Sequence, residues 1–169
     1  MEEIVNKVAQ SGLKTIDLAQ FIPNEQAVIF DIKDFLWQEL ILKEKDFRSA
    51  LKDFDWSSMN GKAVAIICSA DAIVPTWAFM LVASHLQKNG IKHIVGSKDE
   101  LSKMLIKSKI EELNPSDFTN ERVIVKGCAD IAVPNYAMTY LVTYLQNEVK
   151  SLMYGEPCST VPIYKAPRK

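Results

Sequence analysis

The sequence predicts an α/β fold in a single domain, residues 1–169, built on a largely parallel or mixed sheet. Three observations carry this prediction. Short β-branched apolar runs alternate with longer runs of helical periodicity, the order that produces strand–helix–strand crossovers. The run Ala63 to Cys68 is apolar throughout, as in a strand buried on both faces. Finally, Cys68-Ser69-Ala70-Asp71-Ala72-Ile73-Val74-Pro75-Thr76-Trp77-Ala78 returns as Cys128-Ala129-Asp130-Ile131-Ala132-Val133-Pro134-Asn135-Tyr136-Ala137, each copy between a strand-like and a helix-like run.

In chain order, residues 1–10 read as a short helix with Ile4, Val5 and Val8 on one side, ended by Ser11-Gly12. Thr15 to Leu18 reads as a short edge strand, and residues 1–25 together form an N-terminal arm. After the turn at Pro23-Asn24-Glu25, Ala27 to Ile32 is β-branched and aromatic and predicts a strand. Lys33 to Leu42 is ambiguous between a short helix and part of a hairpin. Lys43 to Phe54 predicts a helix, because Phe47, Ala50, Leu51 and Phe54 share one face. Asn60-Gly61 turns the chain into the strand Ala63 to Cys68. Pro75 to Asn89 is apolar nearly all round and predicts a deeply buried helix, stopped at Asn89-Gly90. Ile91 to Val95 is the next strand, and Lys98 to Leu113 the next helix, closed by Asn114-Pro115. Arg122 to Lys126 predicts a strand, and Asn135 to Met153 the longest helix, broken at Gly155-Glu156-Pro157. Residues 154–169 form a C-terminal loop and a final strand over Thr160 to Tyr164.

A shift of 59 residues aligns the two copies. Between 64 and 87 it gives eight identities: Val64, Ala70, Asp71, Val74, Pro75, Ala78, Leu86 and Gln87 fall on Val123, Ala129, Asp130, Val133, Pro134, Ala137, Leu145 and Gln146. Trp77 falls on Tyr136. Upstream, Lys33-Asp34-Phe35-Leu36 resembles Lys98-Asp99-Glu100-Leu101, and Asp55-Trp56-Ser57 resembles Asp117-Phe118-Thr119. The expectation is an internal pseudo-twofold repeat of a strand–helix–strand–helix unit, copy one over 27–87 and copy two over 91–146, sharing one sheet. In such a sheet the loops after the strand C-termini gather at one edge, where ligands usually sit.

Composition narrows the function. With 48% hydrophobic and 24% charged residues the chain is an ordinary globular one. A formal net charge of -1 argues against a nucleic-acid partner. The three cysteines are too few and too widely spaced for a disulfide scaffold. Met1 to Val5 lacks the pattern of a signal peptide, and no apolar run is long enough to span a membrane, so a cytoplasmic location is expected. There is no Gly-rich phosphate loop, no Gly-x-Ser-x-Gly elbow and no His-Glu-x-x-His.

Three sets of residues are candidates for chemistry. Cys68, Cys128 and Cys158 all fall on loops, and three thiolates at one sheet edge would suit zinc or an iron–sulfur cluster. None lies in a Cys-x-x-Cys pair, so buried or incidental thiols are the alternative, with a reactive thiol at Cys158 as a third. Asp71 and Asp130 precede helices and suit helix capping; brought together, they suit a general acid/base pair on a small metabolite. Trp77 and Tyr136 hold matching places in the first helical turns, either packed in the core or walling a planar ligand. His85 and His93 have no partner motif. Apolar residues on several sides of the last helix suit either enclosure within the sheet layers or contact with another subunit; a homodimer is expected, with a non-catalytic interaction protein as a further alternative.

The chain resembles a family of uncharacterised bacterial proteins, a domain of unknown function. The resemblance rests on Ile41-Leu42-Lys43-Glu44-Lys45-Asp46-Phe47-Arg48, on Cys68 to Ala78, and on Met153-Tyr154-Gly155-Glu156-Pro157-Cys158-Ser159-Thr160-Val161-Pro162, and covers nearly the whole chain. Genes of that family often lie beside iron–sulfur assembly genes, so the resemblance implies at most an accessory role in cluster assembly or carriage, with iron–sulfur assembly proteins as partners. The leading expectation is therefore a metal- or iron–sulfur-associated accessory protein with Cys68, Cys128 and Cys158 as ligands.

Overall fold

The structure, a computed structural model, describes residues 12–127 and 130–167. Among them are seven strands: β1 (Leu13–Asp17), β2 (Gln26–Asp31), β3 (Lys62–Ile67), β4 (His93–Val95), β5 (Arg122–Lys126), β6 (Ser151–Glu156) and β7 (Ser159–Lys165). Four α-helices join them: α1 (Glu44–Asp53), α2 (Thr76–Lys88), α3 (Lys98–Ile110) and α4 (Pro134–Leu145). The α/β class and the largely parallel pairing stand. The strands do not share one sheet, however. β2-β3-β4 form a parallel sheet, and β1-β5-β6-β7 form a second one, parallel except for the antiparallel edge strand β7.

The described residues up to Ile22, with those from Leu105 onward, make one compact unit, called here the outer unit. Pro23–Met104 makes the other, the inner unit. The two units share an element order. In the inner one, β2 runs into a 3-10 turn at Ile32–Phe35, then α1, a 3-10 turn at Trp56–Met59, β3, α2 and β4. In the outer one, β1 runs into a 3-10 turn at Leu18–Phe21, and the chain resumes with the end of α3, a 3-10 turn at Pro115–Phe118, β5, α4 and β6. The first strand of the outer unit thus comes from the stretch expected to be an arm, and it pairs Leu13 to Arg122 through Asp17 to Lys126.

Local chemistry explains these elements. Asp17, Asp31, Asp55 and Asn114 each cap a 3-10 turn by accepting from the backbone N–H two residues on, the Asx geometry that pulls a chain out of extended conformation. α1 buries Phe47 and Leu51, four apart, and Arg48 pairs with Glu44 at 2.9 Å on its exposed side. α3 starts with a reciprocal capping box: Glu100 accepts from the Ser97 N–H at 2.7 Å, and Ser97 Oγ accepts from the Glu100 N–H at 3.2 Å.

Each unit has its own core. In the inner unit the Phe30 ring packs between Phe35 at 5.2 Å and Trp56 at 5.7 Å, and Trp56 Nε1 donates to the Leu51 carbonyl at 2.8 Å. That bond lets an indole be buried without leaving a polar group unpaired. α2 lays Ala78, Val82 and Leu86 on this core, and α4 lays Ala137, Leu141 and Leu145 on the outer one. These two triplets are 59 residues apart, the spacing found in the sequence.

Several expectations are corrected. α2 is not buried all round: Met80 is 68% exposed, and its core contact is one stripe. The helix expected over 135–153 ends at Leu145, whose carbonyl takes N–H groups from Glu148 and Val149 at 3.0 and 3.2 Å. Leu152 and Met153 belong instead to β6, where Leu152 pairs with Val123. Lys33 to Leu42 holds something of both readings, a short 3-10 helix over Ile32–Phe35 and then an isolated antiparallel Trp37–Ile41 bridge. Lys33 to Leu36 and Lys98 to Leu101 are different structures, a 3-10 turn and an α-helix. The helix expected over 1–10 lies outside the described residues.

Candidate functional site

In a strand, alternate residues point to one face. On β5 the pair Val123 and Val125 faces α4 in the outer core, and on β6 Leu152 does the same. Register sets Val123 beside Leu152 and Val125 beside Tyr154. On α4, Met138 and Val142 sit one residue after the core positions Ala137 and Leu141 and so border the buried stripe. Together with Met153, Ile163 of β7, and Pro134, Asn135 and Thr139 from the first turns of α4, these residues enclose a cleft of about 520 Å³. Among the described residues its lining includes no Asp, Glu, His, Lys or Arg, and the polar side-chain groups there are the Asn135 amide, the Thr139 hydroxyl and the Tyr154 hydroxyl. Thr139 Oγ1 turns back on its helix, donating to the carbonyls of Asn135 and Tyr136 at 2.9 and 3.1 Å.

Gly127 follows the C-terminal end of β5 and lines this cleft. A Cβ placed there would lie 2.6 Å from Tyr154 Cε2, 2.9 Å from the Tyr154 hydroxyl and 2.8 Å from Met138 Cε. Only a glycine admits that ring and that thioether together.

The inner unit has a cleft of the same volume, more open, lined by Ile29, Ile66, Ile67, Cys68, Phe79, Val95, Gly96, Ser97 and Lys98. Ile66, Cys68 and Phe79 stand 59 residues before Val125, Gly127 and Met138, so the two clefts are built in part from matching positions.

The sequence candidates fall as follows. Cys68 lines the inner unit's cleft, half-buried, its thiol directed at the Ala70 carbonyl at 3.7 Å. Cys158 is exposed in the tight turn between β6 and β7. Cys128 lies outside the described residues. Among the described residues no three His, Cys, Asp or Glu side chains are grouped to hold a metal ion. Asp71 and Asp130 are exposed, and neither lines a described cleft. Nor do they cap helices: the N-caps are Pro75 and Val133, without side-chain hydrogen bonds, and Val133 takes a left-handed conformation. Trp77 packs on Phe47 at 6.2 Å with the Arg48 guanidinium 5.7 Å over its ring. Tyr136 stacks on Tyr140 at 5.9 Å, and Tyr140 on Tyr144 at 6.3 Å. Tyr140 donates to Glu111 at 2.7 Å, Lys107 pairs with the same carboxylate, and Tyr144 bonds the Leu113 carbonyl at 3.0 Å. These tyrosines fasten α4 to the end of α3. His85 stacks on Trp56 at 5.0 Å, and His93 Nδ1 lies 2.8 Å from the Ile91 carbonyl, both structural contacts.

Residues 2–166 match the family described as a protein of unknown function, DUF2480. The chain belongs to the DUF2480 family. No curated protein and no solved structure matches it. No helix of this DUF2480 chain, among the described residues, is long and apolar enough to cross a membrane.

Sequence reasoning missed Gly127, Asn135, Met138, Thr139 and Tyr154 as a group. Gly127, a glycine at the end of an apolar strand, was a readable signal of close approach. It missed Asp31 as well, whose Oδ1 caps the turn after β2 and also accepts the Ser69 N–H at 3.0 Å, tying down the loop after Cys68.

Proposed function

We propose that this DUF2480 chain is a small-molecule binding protein, and that the cleft among β5, β6, β7 and α4 takes a neutral, mainly apolar ligand with one polar end. The observation that carries the reading is the lining itself: about 520 Å³ of largely apolar wall with an amide and two hydroxyls. That volume lies in the range of small-molecule sites. A charged ligand would lose hydration there without meeting an opposite charge. Prodan, a neutral naphthyl ketone whose emission moves to the blue on leaving water, is a suitable probe. A saturable blue shift is expected, and Thr139→Trp, which places an indole in the cleft, should abolish it. A shift that does not saturate, or that survives Thr139→Trp unchanged, refutes the reading.

The second reading is a metal- or iron–sulfur-associated accessory protein using Cys68, Cys128 and Cys158. Its support is the placement of Cys68 at a strand end and of Cys158 in an exposed turn. Anaerobic purification with iron and zinc analysis tests it. The reading requires stoichiometric metal that is lost in Cys158→Ser, and a metal-free protein rules it out.

A further inference from the structure

We propose that Tyr154 closes the outer unit's cleft and donates its hydroxyl hydrogen to an uncharged acceptor oxygen of the ligand, with Gly127 as the positioning residue that seats it; this rests on the binding reading above. The class of ligand is therefore an apolar molecule bearing a ketone, quinone or ester oxygen.

The argument begins with the two-residue period of β5 and β6. Val123 pairs with Leu152 deep in the core, and Val125 pairs with Tyr154 one layer outward. The next layer on β5 is position 127. Any side chain there would occupy the space over which the Tyr154 ring leans, since even a Cβ would lie 2.6 Å from Cε2 and 2.9 Å from the hydroxyl. The Met138 methyl, at 2.8 Å, can swing aside on its flexible stem, whereas the ring moves only as a whole. Glycine at 127 thus lets Tyr154 lie across the end of the cleft rather than stand out from the sheet. Tyr154 is 44% exposed and also lines the cleft. Its hydroxyl has no hydrogen-bond partner among the described residues, while the Thr139 hydroxyl already serves its own helix. Tyr154 is therefore the lining hydroxyl with a free donor.

The test is a pair of probes on four variants of the full chain: Tyr154→Phe, Gly127→Ala, Tyr154→Ala and the double Gly127→Ala/Tyr154→Ala. Prodan carries the acceptor oxygen; dimethylaminonaphthalene is the same ring system without it. Tyr154→Phe should weaken prodan roughly two- to tenfold, the range of one neutral hydrogen bond, and leave the ketone-free probe unchanged. Gly127→Ala should weaken prodan by displacing the ring. In the Tyr154→Ala background it should cost nothing further, because its effect passes through that ring. Equal loss of both probes in Tyr154→Phe, or no loss of either, overturns the proposal. So does a Gly127→Ala penalty that persists in the Tyr154→Ala background. Where Gly127→Ala fails to fold, the Tyr154→Phe comparison decides alone. Absence of saturable prodan binding, or binding unaffected by Thr139→Trp, removes the binding reading and this proposal with it. With those controls satisfied and Tyr154→Phe flat, this proposal alone falls.

Discussion

Asp31→Ala removes one carboxylate that holds two distant backbones. Asp31 Oδ1 accepts from Lys33 N–H at 3.0 Å, capping the turn after β2, and from Ser69 N–H at 3.0 Å, fixing the loop after β3. Losing the cap costs about 1 kcal/mol. Losing a bond to a charged acceptor costs about 1.5 kcal/mol, the low end of its range because the group is only half-buried. The sum is about 2.5 kcal/mol, or roughly 5–10 °C in Tm for a chain of this size. Asn keeps an acceptor oxygen, so Asp31→Asn should lose about 1 kcal/mol. Burial is the largest influence on this carboxyl and raises its pKa. The hydrogen bonds from Ser69 and Lys33 and the Lys33 charge together outweigh it and hold the group below 3.8. The folded value lies below the unfolded one, so the stabilisation is full above the unfolded pKa. It is lost as pH falls through the folded value. The wild type should therefore lose stability below about pH 3.8 more steeply than Asp31→Asn. Trp37, Trp56 and Trp77 all lie in the Pro23–Met104 unit with Asp31, so tryptophan emission during guanidinium unfolding is the assay. A midpoint for Asp31→Ala within about 0.5 kcal/mol of wild type would refute the reasoning.

Three further predictions concern packing, strain and charge. Leu86→Ala and Leu145→Ala, both fully buried at matching places, should each cost about 2–5 kcal/mol, whereas exposed Met80→Ala should stay within about 0.5, all measured by denaturant unfolding. Gly155→Ala should destabilise the β6–β7 hairpin by about 1–3 kcal/mol, because Gly155 has φ +122° and a Cβ would lie 2.5 Å from the Ser159 carbonyl oxygen; a thermal midpoint equal to wild type contradicts this. The Glu111 carboxyl is held below 4.5 by hydrogen bonds first from Lys107 and then from Tyr140, so Tyr140→Phe should move its NMR titration up toward 4.5, and an unmoved curve would deny the Tyr140 contribution.

Much of the fold was legible in local pattern. The β-branched runs at β2, β3 and β5 and the helical stripes of α1, α2 and α3 stand where their periodicities put them. The boundary between α4 and β6 was not, because Leu145, Val149, Leu152 and Met153 keep helical spacing across a turn made by polar Gln146, Asn147 and Glu148. Only the pairing of Leu152 with Val123 shows that the later residues form a strand, and pairing across such a separation leaves no local trace. β1 was legible as an edge strand over Thr15 to Leu18, but its partner β5, over a hundred residues away, was not. The assignment of Asp71 and Asp130 as caps failed because an apolar segment ending in Pro75 or Pro134 intervenes and starts each helix itself. The repeated Cys/Asp/Val-Pro stretch led to the strand ends at which both clefts lie, and it contributes Pro134 and Asn135 to one and Cys68 to the other. The cleft is made by residues around the motif, at 125, 127, 138 and 154, each individually ordinary and brought together by strand register and helix phase.

The most direct test of the binding account is an NMR titration of methyl-labelled methionine with prodan. Met138 and Met153 line the outer unit's cleft, while Met59 and Met80 belong to the inner unit. The account predicts saturable shifts of the Met138 and Met153 methyls with Met59 and Met80 unmoved. Shifts of Met80 as large as those of Met138, or none at Met138 and Met153, would contradict it.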